Sequence, residues 1–154
     1  MNKQKIKSNA KIIIEQSEFV HLGTIDKDGY PNIRLMFNLK RKDQFPRIKK
    51  VIDEYNEGFT TYISTNTSSD KILHIKNNKK ASVYYEITKD EWQGLMLLGI
   101  IEFIEDKKIK RDLWEDNWKI YYPKGMNDPD FTILKFKPFF LKLYTKLRTY
   151  NLEI

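Results

Sequence analysis

Seven consecutive residues, Thr65-Asn66-Thr67-Ser68-Ser69-Asp70-Lys71, gather hydroxyls, an amide and one lysine between an apolar strand pattern and a helical one. The first N–H groups of a helix lack intrahelical partners, and its dipole presents a positive end there. Such a segment suits a phosphate dianion. Charge-assisted hydrogen bonds contribute about 1.5–3 kcal/mol each, enough to hold one. Ser and Thr at this place also serve as ordinary helix caps, and the segment alone leaves both uses open.

A second segment, Ile33-Arg34-Leu35-Met36-Phe37-Asn38-Leu39, reads as a strand. Alternation puts Ile33, Leu35, Phe37 and Leu39 on one face, and Arg34, Met36 and Asn38 on the other. If the second face lines a cleft, Arg34 can meet a phosphate or a ring carbonyl, and Met36 can pack along a flat ring. The plainer alternative is a solvated outer face. Other candidates point to structure. His21 and His74 have no acidic partner at metal-ligand spacing. Glu86, Asp90 and Glu91 sit at a strand end and turn. Trp114 and Trp118, four apart, suit core or dimer packing. The densest basic cluster, Lys107, Lys108, Lys110 and Arg111, is diluted by Glu105, Asp106 and Asp112, which argues against a nucleic-acid surface.

These residues need elements to position them. Ile6, Ala10, Ile13 and Ile14 share a helical face, predicting an amphipathic helix over 3–17. Phe19 to Ile25 and Tyr30 to Lys40 form a hairpin around Asp26-Lys27-Asp28-Gly29. Ile48, Val51, Ile52 and Tyr55 predict a short helix, with Pro46 in its first turn and Gly58 past its end. Phe59 to Ser64 is a strand, and the polar run from Thr65 opens a helix that ends near Asn77-Asn78. Ala81 to Ile87 alternates as a half-buried strand, whereas Trp92 to Ile104 is apolar on both faces and therefore central. Ile109, Leu113, Trp114 and Trp118 describe a further helix. Two last strands, Phe131 to Lys137 and Phe139 to Leu147, are separated at Pro138. Many strands with few short helices predict a mainly β fold, a barrel with peripheral helices, in a single domain over 1–154.

Composition sets the outer limits. Of 154 residues 40% are hydrophobic and 14% aromatic, sufficient for one packed core. With 28 basic against 21 acidic side chains the net charge is +7, which favours anionic ligands. The absence of cysteine excludes disulfides and thiol chemistry. The polar start and the short apolar stretches predict a cytoplasmic protein with no signal peptide and no membrane partner.

Taken together, the two segments resemble a family. Gly29-Tyr30-Pro31 leading to Arg34-Leu35-Met36-Phe37, then Tyr62-Ile63-Ser64-Thr65-Asn66 with Ser69-Asp70-Lys71, is similar to the pyridoxamine 5′-phosphate oxidase-like FMN-binding split barrels. The bacterial general-stress-protein branch is the nearer match. Gly99, Leu113-Trp114, Tyr122-Pro123-Lys124-Gly125 and Asp128-Pro129 extend the likeness over almost the whole chain. It implies six or seven antiparallel strands, an N-terminal helix and two or three short helices. It also implies a homodimer with FMN at the subunit interface. By position, Arg34, Leu35, Met36 and Phe37 line the flavin, Ser64, Thr65 and Asn66 contact it, and Ser69 and Lys71 clamp its phosphate.

The sequence also departs from the family's pattern. Asp70 stands where the clamp has arginine, Leu39 where the flavin strand of the oxidase ends in lysine, and Gly94 near a ring-contacting glutamine. The C-terminal substrate signature has no counterpart in 145–154, so oxidation of pyridoxamine phosphate is not expected. The remaining expectation is an FMN-dependent oxidoreductase with reduced nicotinamide as donor and an unspecified small acceptor. The rivals are a stress-related flavin binder without turnover and a relative that takes the deazaflavin F420.

Overall fold

A computed structural model describes residues 1–154. Helix α1 (Lys3–Gln16) buries Ile6, Ala10, Ile13 and Ile14, the face anticipated from their spacing. Seven strands follow, interrupted by three short helices: β1 (Phe19–Ile25), β2 (Pro31–Phe37), α2 (Pro46–Tyr55), β3 (Thr61–Asn66), α3 (Asp70–Asn77), β4 (Lys80–Ile87), β5 (Gln93–Phe103), α4 (Lys107–Asp112), β6 (Phe131–Thr145) and β7 (Arg148–Glu153). All pairs are antiparallel, in the order β2-β1-β4-β5-β6-β3, with β7 alongside the far half of β6. The sheet curls until its edges β2 and β3 approach without pairing, giving a split half-barrel. No helix is long and apolar enough to cross a membrane.

Two cores hold this shape. One packs α1, with Ile72 and Ile75 of α3, against the sheet around Val20, Leu22, Val83, Tyr85, Leu95 and Leu97. The other gathers Leu39, Phe45, Ile48, Tyr62, Leu113, Trp114, Trp118, Tyr122 and Phe131 beyond β3. Trp114 and Trp118 thus belong to a core, their rings edge to face at 6.0 Å.

Strand β3 lies two residues later than expected, taking in Thr65 and Asn66, and four larger differences each have a physical reason. Strand β2 ends at Phe37, not Lys40, because buried Asn38 turns away and its Nδ2 donates to the carbonyls of Ile14 and Ser17 at 2.6 and 2.9 Å. Leu39 then enters the second core. The helix drawn through Ile109 and Trp118 is two pieces, α4 and a 3-10 turn (Asp116–Ile120); the guanidinium of Arg47 donates to the carbonyls of Asp112 and Trp114, freed where the helix stops. Pro138 does not split a strand: β6 runs through it, and the register shifts between Leu98 and Gly99 as a bulge. A Cβ on Gly99 would lie 2.2 Å from the Lys137 carbonyl oxygen, so this crossing requires glycine. Finally, the chain turns at Lys146-Leu147, both at positive φ (50° and 58°), and returns as β7.

Candidate functional site

The edges β2 and β3 bound a cleft of about 320 Å³, at the small end of the roughly 300–1,000 Å³ usual for small-molecule sites. Arg34, Leu35, Met36 and Phe37 line one wall, Ser64, Thr65 and Asn66 the other, and Lys71 the end. Eight of the nine anticipated residues therefore share one cavity. Ser69 lies just behind, its hydroxyl accepting from Lys71 Nζ at 2.5 Å. Phe19 and three aromatic residues of the 3-10 turn and beyond, Trp118, Tyr121 and Tyr122, complete the lining. Trp118, whose spacing suits packing, both packs in the second core and lines the cleft, stacking parallel to Phe37 at 6.1 Å between centroids.

Strand β2 reverses the usual arrangement. Arg34 and Met36 face inward and are half-buried, while Ile33 and Leu35 stand outward at 73% and 56% exposure. The inward face of this strand is the cleft, so Arg34 is not on a solvated outer face. Its Nη1 donates to Thr24 Oγ1 at 2.7 Å and to the Asn32 carbonyl at 2.9 Å. The same Thr24 Oγ1 is hydrogen-bonded to His74 Nδ1, 3.0 Å away. Thr24 and His74 are 50 positions apart, so nothing in their local sequence pairs them. The other histidine, His21, meets Glu86 Oε1 at 3.2 Å across the sheet, a partner 65 positions away that local spacing cannot reveal.

At the end of the cleft, Lys71 Nζ donates to Thr65 Oγ1 at 3.0 Å and to Ser69 Oγ. Because both oxygens accept from the ammonium, both hydroxyl protons are left for another acceptor. Ser69 precedes α3 yet makes no side-chain cap bond, so its hydroxyl serves the lysine and not the helix. Burial, and then the charge of Arg34, hold the Lys71 amine below its ordinary range; Asp70 pulls the other way. Arg34 is lowered by burial and opposed by the same Asp70. No ion pair in the structure involves either cation. One buried and one half-buried positive charge with two oriented hydroxyls make an anion site.

The loop carrying these groups is held from behind. Asp130 accepts from Asn66 Nδ2 at 2.6 Å and from the Ser68 N–H at 2.7 Å, and its carbonyl accepts from Thr67 N–H. Asp128 in turn accepts from the N–H groups of Lys124 and Asp130. The amide of Asn66 is thus committed to Asp130, leaving its carbonyl oxygen for the cleft.

A family described as pyridoxamine 5′-phosphate oxidase like matches residues 14–139. The chain belongs to that family. Among solved structures it is similar to a Clostridium acetobutylicum protein related to general stress protein 26 of B. subtilis (pyridoxinephosphate oxidase family). Identity there is 32%, coverage 99% of this chain and 97% of that one, and the TM-score 0.78. General stress protein 26 from Bacillus anthracis is 21% identical, with 96% and 98% covered and a TM-score of 0.71. A heme binding protein from Mycobacterium smegmatis shares the fold at 12% identity and a TM-score of 0.71, covering 99% of this chain and 60% of its own. No curated protein matches the sequence. Membership of the pyridoxamine 5′-phosphate oxidase-like family accounts for the split barrel and its cleft between edge strands.

Proposed function

We propose that the chain binds FMN in the cleft between β2 and β3. The observation that carries this reading is the meeting of half-buried Arg34 and buried Lys71, two cations without ion-pair partners, with the free hydroxyl protons of Ser69 and Thr65. The donor set fits a phosphate monoester. Lys71, Ser69 and Thr65 would hold that phosphate. Arg34, Met36 and Ser64 would flank the ring system, and Asn66 would offer its free carbonyl oxygen. Strands β2 and β3 are both sheet edges, so backbone groups of Leu35 and Phe37 point outward from the ladder and remain free for ring heteroatoms. FMN, when bound, supplies two-electron redox chemistry. Arg34 places positive charge where reduction gathers negative charge. The activity we infer is oxidoreduction of a small acceptor with reduced nicotinamide as donor.

A homodimer is part of the proposal. The outward row Ile33–Gly23–Ser82–Leu98–Phe140 crosses five strands, and Leu35, Met96 and exposed Phe139 extend it. A second copy covering this face would remove the exposed apolar surface from water.

Titration of purified protein with FMN, riboflavin and F420, read by fluorescence, tests the cofactor. FMN is expected to be quenched and to bind at least tenfold tighter than riboflavin, which lacks the phosphate. Absence of quenching by FMN would reject the reading, and stronger binding of F420 would replace the cofactor. One observation favours a second reading, a flavin binder without turnover: Asp70 weakens the positive field of both cations. Flavin-loaded protein that oxidises no reduced nicotinamide would support it.

A further inference from the structure

On the opposite side of the second core lies a cavity that no part of the flavin reading uses. Its volume is about 120 Å³, and it sits between α1, α2 and the turn before β3. Lys40 projects into it. The residue is 9% exposed, and its Nζ has one partner, the Gly58 carbonyl at 3.2 Å. Every carboxylate around it is already engaged. Glu15 of α1 and Asp53 of α2 are held by Lys49, at 3.2 and 2.6 Å. Glu57, in the turn, accepts from Tyr62 Oη of β3 and from Lys135. The remaining charged neighbour, Lys11 of α1, is another cation. Lys40 is thus a buried amine facing a neutral carbonyl, with its possible counterions occupied elsewhere. Burial, followed by the charge of Lys49, lowers it to about 8, which leaves roughly one amine in ten unprotonated at pH 7.

We propose that Lys40 is a nucleophilic site for small uncharged aldehydes, which it captures as an imine. The amine nitrogen attacks the carbonyl carbon and the π pair moves to oxygen. A proton passes from nitrogen to that oxygen, giving a carbinolamine. Loss of water then yields the C=N bond, with no oxidation or reduction. Two features select this ligand class. An empty cavity of about 150 Å³ holds a benzene molecule, so this smaller one admits about two to four carbons and excludes nucleotides and sugar phosphates. An imine can remain neutral, which a site that disfavours buried charge and has no counterion to spare accommodates best. The proposal is independent of the flavin site.

The test is competitive labelling of the intact chain with limiting acetaldehyde and cyanoborohydride at pH 7. The cyanoborohydride traps imines as ethylamines, which peptide mass analysis assigns to each lysine. Lys40 is expected to label at least tenfold faster than the exposed lysines Lys3, Lys27 and Lys79, and to lose that advantage in urea. Lys49→Met releases Glu15 and Asp53 to pair with Lys40, and Lys40 labelling should then fall severalfold. Labelling of Lys40 no faster than the exposed lysines, or an advantage that survives urea, would overturn the proposal. The wild-type measurement decides the matter even if the variant does not fold.

Discussion

Replacing Lys71 by Met separates phosphate recognition from the rest of the cleft. The substitution keeps the apolar stem beside Ile72 and Ile75 but removes the ammonium that donates to Thr65 and Ser69. A hydrogen bond from a charged donor to an anion contributes about 1.5–3 kcal/mol, so the FMN Kd should rise about 10- to 150-fold. Riboflavin offers Lys71 nothing, and its Kd should change less than about twofold. The pH dependence supplies a second reading of the same group. Burial and Arg34 hold the amine below its ordinary range, and a bound phosphate favours its charged form. Wild-type affinity should therefore decline as pH climbs through that lowered value, whereas Lys71→Met should show no such decline. Fluorescence titration of both ligands between pH 6 and 10 measures all of this. If the variant binds FMN as tightly as wild type, the phosphate is not at Lys71. If FMN and riboflavin weaken equally, the lysine acts only on the shape of the cleft.

Thr24→Val removes the side-chain acceptor of Arg34 and its link to His74, and should weaken FMN binding severalfold; an unchanged titration curve would detach Arg34 from the ligand. Asp130→Asn should weaken FMN by loosening the Asn66–Ser68 loop. Hydrogen bonds from Asn66 and Ser68 depress the Asp130 carboxyl, so its stabilisation is present above the unfolded carboxylate range and disappears as pH falls through the depressed value. Acid unfolding followed by circular dichroism should accordingly differ between wild type and variant above pH 5 and converge toward pH 2. Ile33→Glu places charge on the exposed face of β2 and should halve the solution mass measured by light scattering. Gly99→Ala meets the Lys137 carbonyl and should cost about 1–3 kcal/mol, seen as a lower denaturant midpoint.

How much was legible in the sequence follows from the range of the interactions involved. The α1 face and the β1–β2 hairpin rest on local periodicity and turn chemistry, and the structure has both. The turn at Lys146-Leu147 was illegible because neither residue is one that ordinarily marks a positive φ, so β7 went unseen. Pro138 read as a break because its tolerance depends on Gly99, distant in sequence, supplying the bulge. In the cleft, residues 34–37 and 64–71 were marked by type and order. Thr24, Trp118, Tyr121 and Asp130 reach it only through strand register and loop packing, although the aromatic run around Tyr121-Tyr122 was a usable signal.

The orientation of β2 links the two halves of the proposal. An amphipathic strand on a monomer normally turns its isoleucine and leucine inward and its arginine toward water. Here a hairpin one residue out of phase would achieve that, since a shift of one exchanges the two faces. The register instead pairs Leu22 with Arg34 and Gly23 with Ile33, sending the cation into the cleft and the isoleucine outward. An isolated subunit gains from neither placement: Arg34 loses hydration, and Ile33 stays in water. Both become favourable if an anion meets Arg34 from inside and an apolar surface covers Ile33 and Leu35 from outside. The ligand and the second subunit are therefore predicted to stand together, so Ile33→Glu, outside the cleft lining, should lose FMN along with the dimer. A monomeric variant that keeps full FMN affinity would show that the outer face has no part in the site.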